Sequence, residues 1–155
     1  MGSIQQSIDV GVPVRTAYDQ WTQFEEFPSF MDGVEQVTQI DETHLHWVAE
    51  IGGTRREWDA EITEQRPDQR IAWRSVDGTG NAGVVTFHRL DEGRTRVMVQ
   101  IEWSPGSVAE RAGDALGVDD RRVKSDLERF REHIEARGSA SGAWRGEVDL
   151  GRTVG

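Results

Sequence analysis

Trp47, Trp58, Trp73 and Trp103 fall in four separate stretches where apolar and polar residues alternate, and in each stretch the indole has the apolar parity. Alternate side chains of an extended chain point to opposite faces, so the four indoles belong to one face of a sheet. An indole carries a large apolar surface and a single N–H that needs a partner when buried. Core filling explains any one of them. Four on one concave face suit a planar or polyisoprenoid ligand. Three polar groups share that side. Arg56 has the parity of Trp58; a solvated strand end is its plainer reading, but pointing inward it would bind a carboxylate or polarise a carbonyl. Ser75 has the parity of Trp73 and offers a weak hydrogen bond. Tyr18 lies on the apolar face of an early helix, with its hydroxyl in reach of the same space. None of these forms a recognisable nucleophile–base pair.

The histidines read differently. His44, His46 and His88 have the opposite, wet-face parity, and His133 sits beside an apolar helical stripe rather than on it. No His is therefore expected inside, and a His general base is disfavoured. His44 and His46 have the i, i+2 spacing of a metal pair, but on the wet face they read as surface residues, and no metal or cofactor is expected. The absence of Cys excludes disulfides, thiolate catalysis and Cys-based metal sites. Asn81, between Gly80 and Gly83, reads as turn chemistry. Arg55-Arg56-Glu57 and Asp119-Asp120-Arg121-Arg122 read as solvated faces or helix caps.

The elements that must position these groups follow from the period of the sequence. Ile4, Ile8 and Val10 mark a first strand. Pro13 suits a first helical turn, and Val14, Ala17, Tyr18 and Trp21 follow at helical spacing. Phe24, Phe27, Phe30 and Met31 make a second apolar patch, which Pro28 interrupts, so two short helices are expected. From Asp32-Gly33 to Ser104 the period is two. The runs at 34–41, 44–51, 57–62, 71–73, 85–87 and 97–103 are separated by Gly52-Gly53, Pro67-Asp68, Asp77-Gly78 and Asp91-Glu92-Gly93. With the first strand this predicts seven strands, antiparallel, with one wet and one buried face. Pro105-Gly106 ends the sheet. Ser107 and Glu110 have capping-box spacing, Gly117 breaks or kinks the helix they start, and a second segment over 118–137 keeps the stripe Val123, Leu127, Phe130, Ile134. Residues 138–155 are rich in Gly and Ser and read as a tail, flexible unless Trp144 docks.

With 155 residues the chain supports one domain, 1–137, followed by that 138–155 tail. Its hydrophobic fraction is 35% and its charged fraction 30%, so the six Trp offset a lean core. A net charge of −10 repels phosphate backbones and anionic membrane surfaces, which argues against nucleic-acid partners and electrostatic membrane anchoring. No signal-type h-region and no run of roughly 18 apolar residues is present, so no stable membrane insertion is expected and a cytoplasmic location is the default.

The element order resembles the helix-grip fold of the START and birch-pollen-allergen (SRPBCC) superfamily. The stretches PVRTAYDQWTQFEEFPSFMDGVEQV, REWDAEITEQRPDQRIAWRS, GVVTFHRL and GVDDRRVKSDLERFREHIE look like its bacterial polyketide cyclase/dehydrase and lipid-transport branch, which includes coenzyme Q-binding proteins. The resemblance covers roughly residues 3–137, and the series Trp21, Phe24, Phe27-Pro28, Phe30-Met31 is its most specific part. It implies an α+β fold in which a seven-stranded curved antiparallel sheet wraps around a long C-terminal helix, with two short helices between strands 1 and 2. It also implies an apolar cavity, but no particular reaction.

One helix of about 10–12 Å diameter cannot fill the concave side of so broad a sheet. A pocket on the order of 300–1,000 Å³ is therefore expected between them. Its expected ligand-binding residues are Trp47, Trp58, Trp73, Trp103, Phe30, Met31, Val85, Phe87, Leu127 and Phe130, with Arg56, Tyr18 and Ser75 as weak catalytic candidates. Few inward polar groups favour binding or transport of a hydrophobic small molecule (lipid, quinone, isoprenoid or polyketide). An aromatase/cyclase or dehydratase acting on a poly-β-ketone is the alternative, and a regulatory module using the fold for protein contacts is a third reading. Ligand exchange would use the short helices at 13–31 and the segment 106–117, with Gly117 either as hinge or as a simple cap.

Overall fold

The computed structural model describes residues 2–31, 34–51, 54–76, 82–103 and 120–154, with residues 2, 3, 51, 54, 56, 103 and 120–122 described in their backbone alone. The chain runs β1 (Gly2–Val10), α1 (Val14–Trp21), a 3-10 helix (Phe24–Ser29), β2 (Val34–Gln39), β3 (His44–Ile51), β4 (Thr54–Arg66), β5 (Arg70–Ser75), β6 (Ala82–Asp91), β7 (Arg94–Trp103), α2 (Asp120–Arg137), β8 (Glu147–Asp149) and β9 (Arg152–Val154). The main path of the sheet is β1-β7-β6-β5-β4-β3-β2, all antiparallel. The expected seven strands form this main path, with the first strand pairing the last of the run, and β8 and β9 bring the sheet to nine strands rather than seven.

The helices at the start form where the spacing placed them. Pro13 stands just before α1, and its carbonyl accepts from the Ala17 N–H at 3.1 Å. Pro28 lies inside the second helix, which is a tight 3-10 turn rather than an α-helix. Proline removes a donor and crowds the preceding turn, so a longer α-helix cannot form there.

Trp21 is the hub of the sealed part of the core. Its indole meets Phe27, Phe30, Phe87 and Phe130 at ring-centroid distances of 5.5, 6.4, 6.3 and 4.9 Å. These edge-to-face and tilted contacts are the favoured aromatic arrangements. Leu127, Phe130 and Ile134 carry the stripe of α2 into this cluster, and all three are fully buried. Polar ties hold α2 along β1: Lys124 Nζ donates to the Ser7 carbonyl at 2.9 Å, and Glu135 accepts from the Gly11 N–H at 2.7 Å.

Two features depart from simple alternation. The β4–β5 register shifts between Ile62 and Glu64. This bulge moves Gln65, rather than Glu64, to the inner side, where it is 1% exposed. The second is the segment after α2. Gly138 at φ +69° ends the helix with a left-handed residue, and the chain then folds back. Trp144 packs against the core, and β8 pairs with Glu64 and Gln65 of β4. β4 is longer than β3, whose pairing with it stops at His44↔Glu61, so β8 continues that side of β4 where β3 leaves off. Trp144 thus meets the condition on which order in the segment depended.

Candidate functional site

The inner face of the sheet has two unlike ends. Toward Val85, Phe87, Val97 and Ile71 the side chains are fully buried under α1, the 3-10 helix and α2. Trp47, Trp58, Trp73 and Ile101 are apolar, inward by parity and only partly buried, and Met31, Val34 and Val123 are partly buried against the core. Trp47 and Trp58 are direct cross-strand partners, and their rings stack with 5.9 Å between centroids and 4° between planes. Trp47 also leans on Phe27 at 5.7 Å. Its indole Nε1 is buried without a hydrogen-bond partner.

Trp73 pairs with Gly83 on β6. A Cβ at Gly83 would lie 2.5 Å from the Trp73 ring and 2.6 Å from the Gln100 carbonyl oxygen. Only glycine lets the indole lie across the neighbouring strand at this distance. The result is a flat indole surface spanning two strands, on the same inner face as the stacked indole pair and two pairing rows from it. Such a surface offers apolar area and π-faces, with few hydrogen-bonding groups, to whatever contacts it.

Ser75 is buried, one pairing row from Trp73 and opposite Ala60. Arg56 pairs with Ala49 through its backbone, and its side chain lies outside the described part, as does that of Trp103. Gly117, the segment 106–117, the capping-box pair Ser107 and Glu110, and Asn81 also lie outside the described residues. Val85, Phe87, Leu127 and Phe130 sit in the sealed core. Phe87 is four residues along β6 from Gly83, roughly 13 Å, and packs on Tyr18 rather than beside Trp73. Phe30, 2% exposed, joins the two ends through Trp21, Phe27 and Phe130.

The wet face is laced with ion pairs. His46 Nδ1 meets Asp59 at 2.7 Å and its Nε2 meets Glu57 at 3.0 Å, and these hydrogen bonds hold the imidazole above its ordinary pKa. His44 pairs with Asp41 at 2.9 Å, Arg74 with Glu61 at 3.1 Å, and Arg96 with Asp9 at 2.8 Å. His88 is exposed beside Thr86. The outward assignment of these three histidines holds. Among the described residues no group of His, Asp and Glu is arranged to hold a metal ion.

His133 corrects the expectation that no His faces inward. Its ring lies 5.6 Å from Phe30, and its Nε2 is buried without a partner. The covered strip of α2 is wider than the Leu127–Phe130–Ile134 line, because Phe30 packs over the helix beside that line. A stripe read from α2 alone does not include what another element adds.

A second buried polar group was read from the sequence only in its Tyr18 member. Tyr18 is fully buried, and burial pushes its hydroxyl up to about 12. The Gln65 amide lies close enough to oppose that shift, yet the two do not meet in hydrogen-bonding geometry. Arg145 lies over the Tyr18 ring at 5.6 Å and bridges Asp19 at 2.5 Å and Asp68 at 2.8 Å. The bulge that turns Gln65 inward and the fold-back that brings Arg145 leave no periodic trace.

The comparisons with known proteins agree with this architecture. A family model described as polyketide cyclase / dehydrase and lipid transport matches residues 10–131. An uncharacterized 17.2 kDa protein of Streptomyces lincolnensis is 56% identical over 149 residues, spanning 96% of this chain and 99% of that one. The Zhui aromatase/cyclase of Streptomyces sp. R1128 superposes with a TM-score of 0.72 at 16% identity, over 92% of this chain and 99% of that one. A START superfamily protein of Mycobacterium smegmatis does so with 0.70 at 12% identity, over 87% and 98%. At such identities the two structures speak to the fold, which is helix-grip. Among the described residues no helix is long and apolar enough to cross a membrane. The family match spans most of the chain and rests on the same strands and helices that carry the indole surface: the protein belongs to the polyketide cyclase/dehydrase and lipid-transport family.

Proposed function

We propose that this protein binds a hydrophobic small molecule, of the lipid, quinone, isoprenoid or polyketide type, against the indole end of its sheet. The observation that carries the reading is the contrast within one inner face: apolar side chains such as Val85 and Val97 are sealed, while Trp47, Trp58, Trp73 and Ile101 are left partly uncovered. Apolar surface left uncovered in a folded chain marks a binding region more often than chance. The Trp47–Trp58 stack and the indole across Gly83 present flat faces suited to a planar or polyprenyl guest. The sequence offers no recognisable nucleophile–base pair at Tyr18, Ser75 and Arg56, which favours binding over catalysis.

The test is fluorescence titration of the full chain with menadione and with pyrene. Saturable quenching is expected, and Trp58→Ala should lose more than half of its amplitude. Emission unchanged at near-millimolar probe would remove this reading.

One observation favours cyclase chemistry as the second reading. His133 turns a buried, unpartnered ring nitrogen of α2 in beside Phe30, which joins the sealed core to the indole end. A poly-β-ketone folded in the site would need a group of this kind near a carbonyl to move a proton. The aromatase/cyclase that shares the fold makes the substrate class worth testing. Turnover of a poly-β-ketone thioester that disappears in His133→Gln while menadione binding persists would establish it. No turnover by the wild type would exclude it.

A further inference from the structure

The chain that returns after Gly138 lies beyond the residues the family model matches, and it closes over the first two helices. The Ser141 N–H donates to Gln20 Oε1 at 2.8 Å and its hydroxyl to Glu26, and the Trp144 N–H donates to Thr22 Oγ1 at 3.1 Å. Both ends of the stretch are fixed. α2 precedes it. After it, β8 pairs with Glu64 and Gln65 of β4, and the Gly151 N–H donates to the Thr63 carbonyl at 3.0 Å. A segment anchored at both ends that grips the elements beneath it has the form of a strap.

Arg145 ties this segment to helix and sheet at once. Its Nη1 meets Asp19 of α1 at 2.5 Å, its Nη2 meets Asp68 of the β4–β5 turn at 2.8 Å, and its guanidinium stands 5.6 Å over the Tyr18 ring. A planar fork of donors can hold two carboxylates together. The three side chains are 27%, 12% and 34% exposed, so solvent screens them less than the pairs of the outer face. Without the cation, a carboxylate on α1 and a carboxylate on the sheet would face each other, and like charges repel. Arg15, the other cation on Asp19, is 3.8 Å away and largely exposed. Arg145 thus turns a repulsion between α1 and the sheet into an attraction.

The rings carried by these helices give that attraction a consequence. Trp21 of α1 packs on Phe27 and Phe30, and Phe27 lies 5.7 Å from Trp47, one half of the Trp47–Trp58 stack. We propose that residues 139–149 form a strap that holds α1 and the 3-10 helix down on the sheet, with Arg145 as its latch, and that release of the latch opens the way to the indole end. The opening step rests on the binding reading above; the latch itself does not.

Hydrogen exchange of the full chain, read by mass spectrometry, tests the latch without any ligand. In Arg145→Ala the amides of α1 and the 3-10 helix should exchange roughly tenfold faster, while those of β6 and β7 keep their rates. Asp68 holds a left-handed backbone at φ +64°, which Asn also tolerates, so Asp68→Asn can be added to Arg145→Ala without new strain. It removes the repulsion and should restore roughly threefold of the lost protection. Unchanged exchange in α1, an equal rise in β6 and β7, or no recovery with Asp68→Asn overturns the latch. Stopped-flow quenching by menadione tests the opening step. Association and dissociation rates should both rise about threefold in Arg145→Ala, with affinity little changed. Rates that stay constant while α1 exchange rises overturn it. A wild type that menadione does not quench overturns the binding reading instead, and the exchange rates still decide the latch.

Discussion

The two ends of the inner sheet face are built from the same alternating pattern and end in opposite states. At one end Phe87 meets Tyr18 and Trp21 of α1, Trp21 in turn meets Phe27, Phe30 and Phe130, and Val97 and Ile71 are buried in the same cluster, so the face is sealed. At the other, Trp47, Trp58, Trp73 and Ile101 have the same parity but remain partly uncovered. Pattern decides which side of a strand is apolar. Whether that side becomes core or surface depends on which elements lie over it.

The sharpest way to break the comparison is to damage the sealed end. Phe130 is fully buried and meets both Trp21 and Phe30. Phe130→Ala should lower stability by about 3–5 kcal/mol, read by urea unfolding. A loss under about 1 kcal/mol would mean that the sealed end is loosely packed after all.

Next in size is Gly83→Ala. The added methyl meets the Trp73 ring and a backbone oxygen at under 3 Å, and the backbone oxygen has little room to yield. Overpacking of this kind costs about 1–3 kcal/mol. The Trp73 ring should also move off β6, with a changed near-UV circular dichroism signal. An unchanged spectrum would show that the indole does not lie across the glycine.

Trp58→Ala should cost less than Phe130→Ala, about 1–2 kcal/mol, because Trp58 is partly uncovered and its main defined contact is the stack on Trp47. Its effect on menadione quenching should be far larger than its effect on stability. If the two effects rank the other way, the indole end is structural and the distinction between the ends collapses.

The outer face supplies the smallest effect. His46 is held by Asp59 and Glu57 above its usual 6.5. A raised folded pKa means that the stabilisation is fully present below about 6.5 and fades as pH rises through the folded value. His46→Gln should flatten the thermal-melt pH profile between pH 6 and 8 by a degree or two and leave ligand binding at the inner face unchanged. A flat wild-type profile would show that the carboxylate grip contributes nothing.

The strands, the two short helices and the stripe of α2 were legible because each has a period, and burial against a single layer preserves it. The outward histidines were legible for the same reason. Gln65 was not: one extra residue in β4 inverts parity beyond Ile62, and no composition signal marks it. His133 was not, because its cover comes from Phe30, about a hundred residues earlier in the chain. Asp19 and Gln20 of α1 are buried although they lie off its apolar face, since Ser141 and Arg145 arrive from the far end of the sequence. What a periodic reading lacks is the list of elements that close over a face.

The short pairing of β8 with β4 has a further meaning for the chain in solution. Where β3 stops, the backbone of Glu64 and Gln65 would otherwise be an open rung of the sheet. Open rungs are templates that recruit strands from other molecules. A chain cut after Gly138 is therefore expected to self-associate, which light scattering over a concentration series would show.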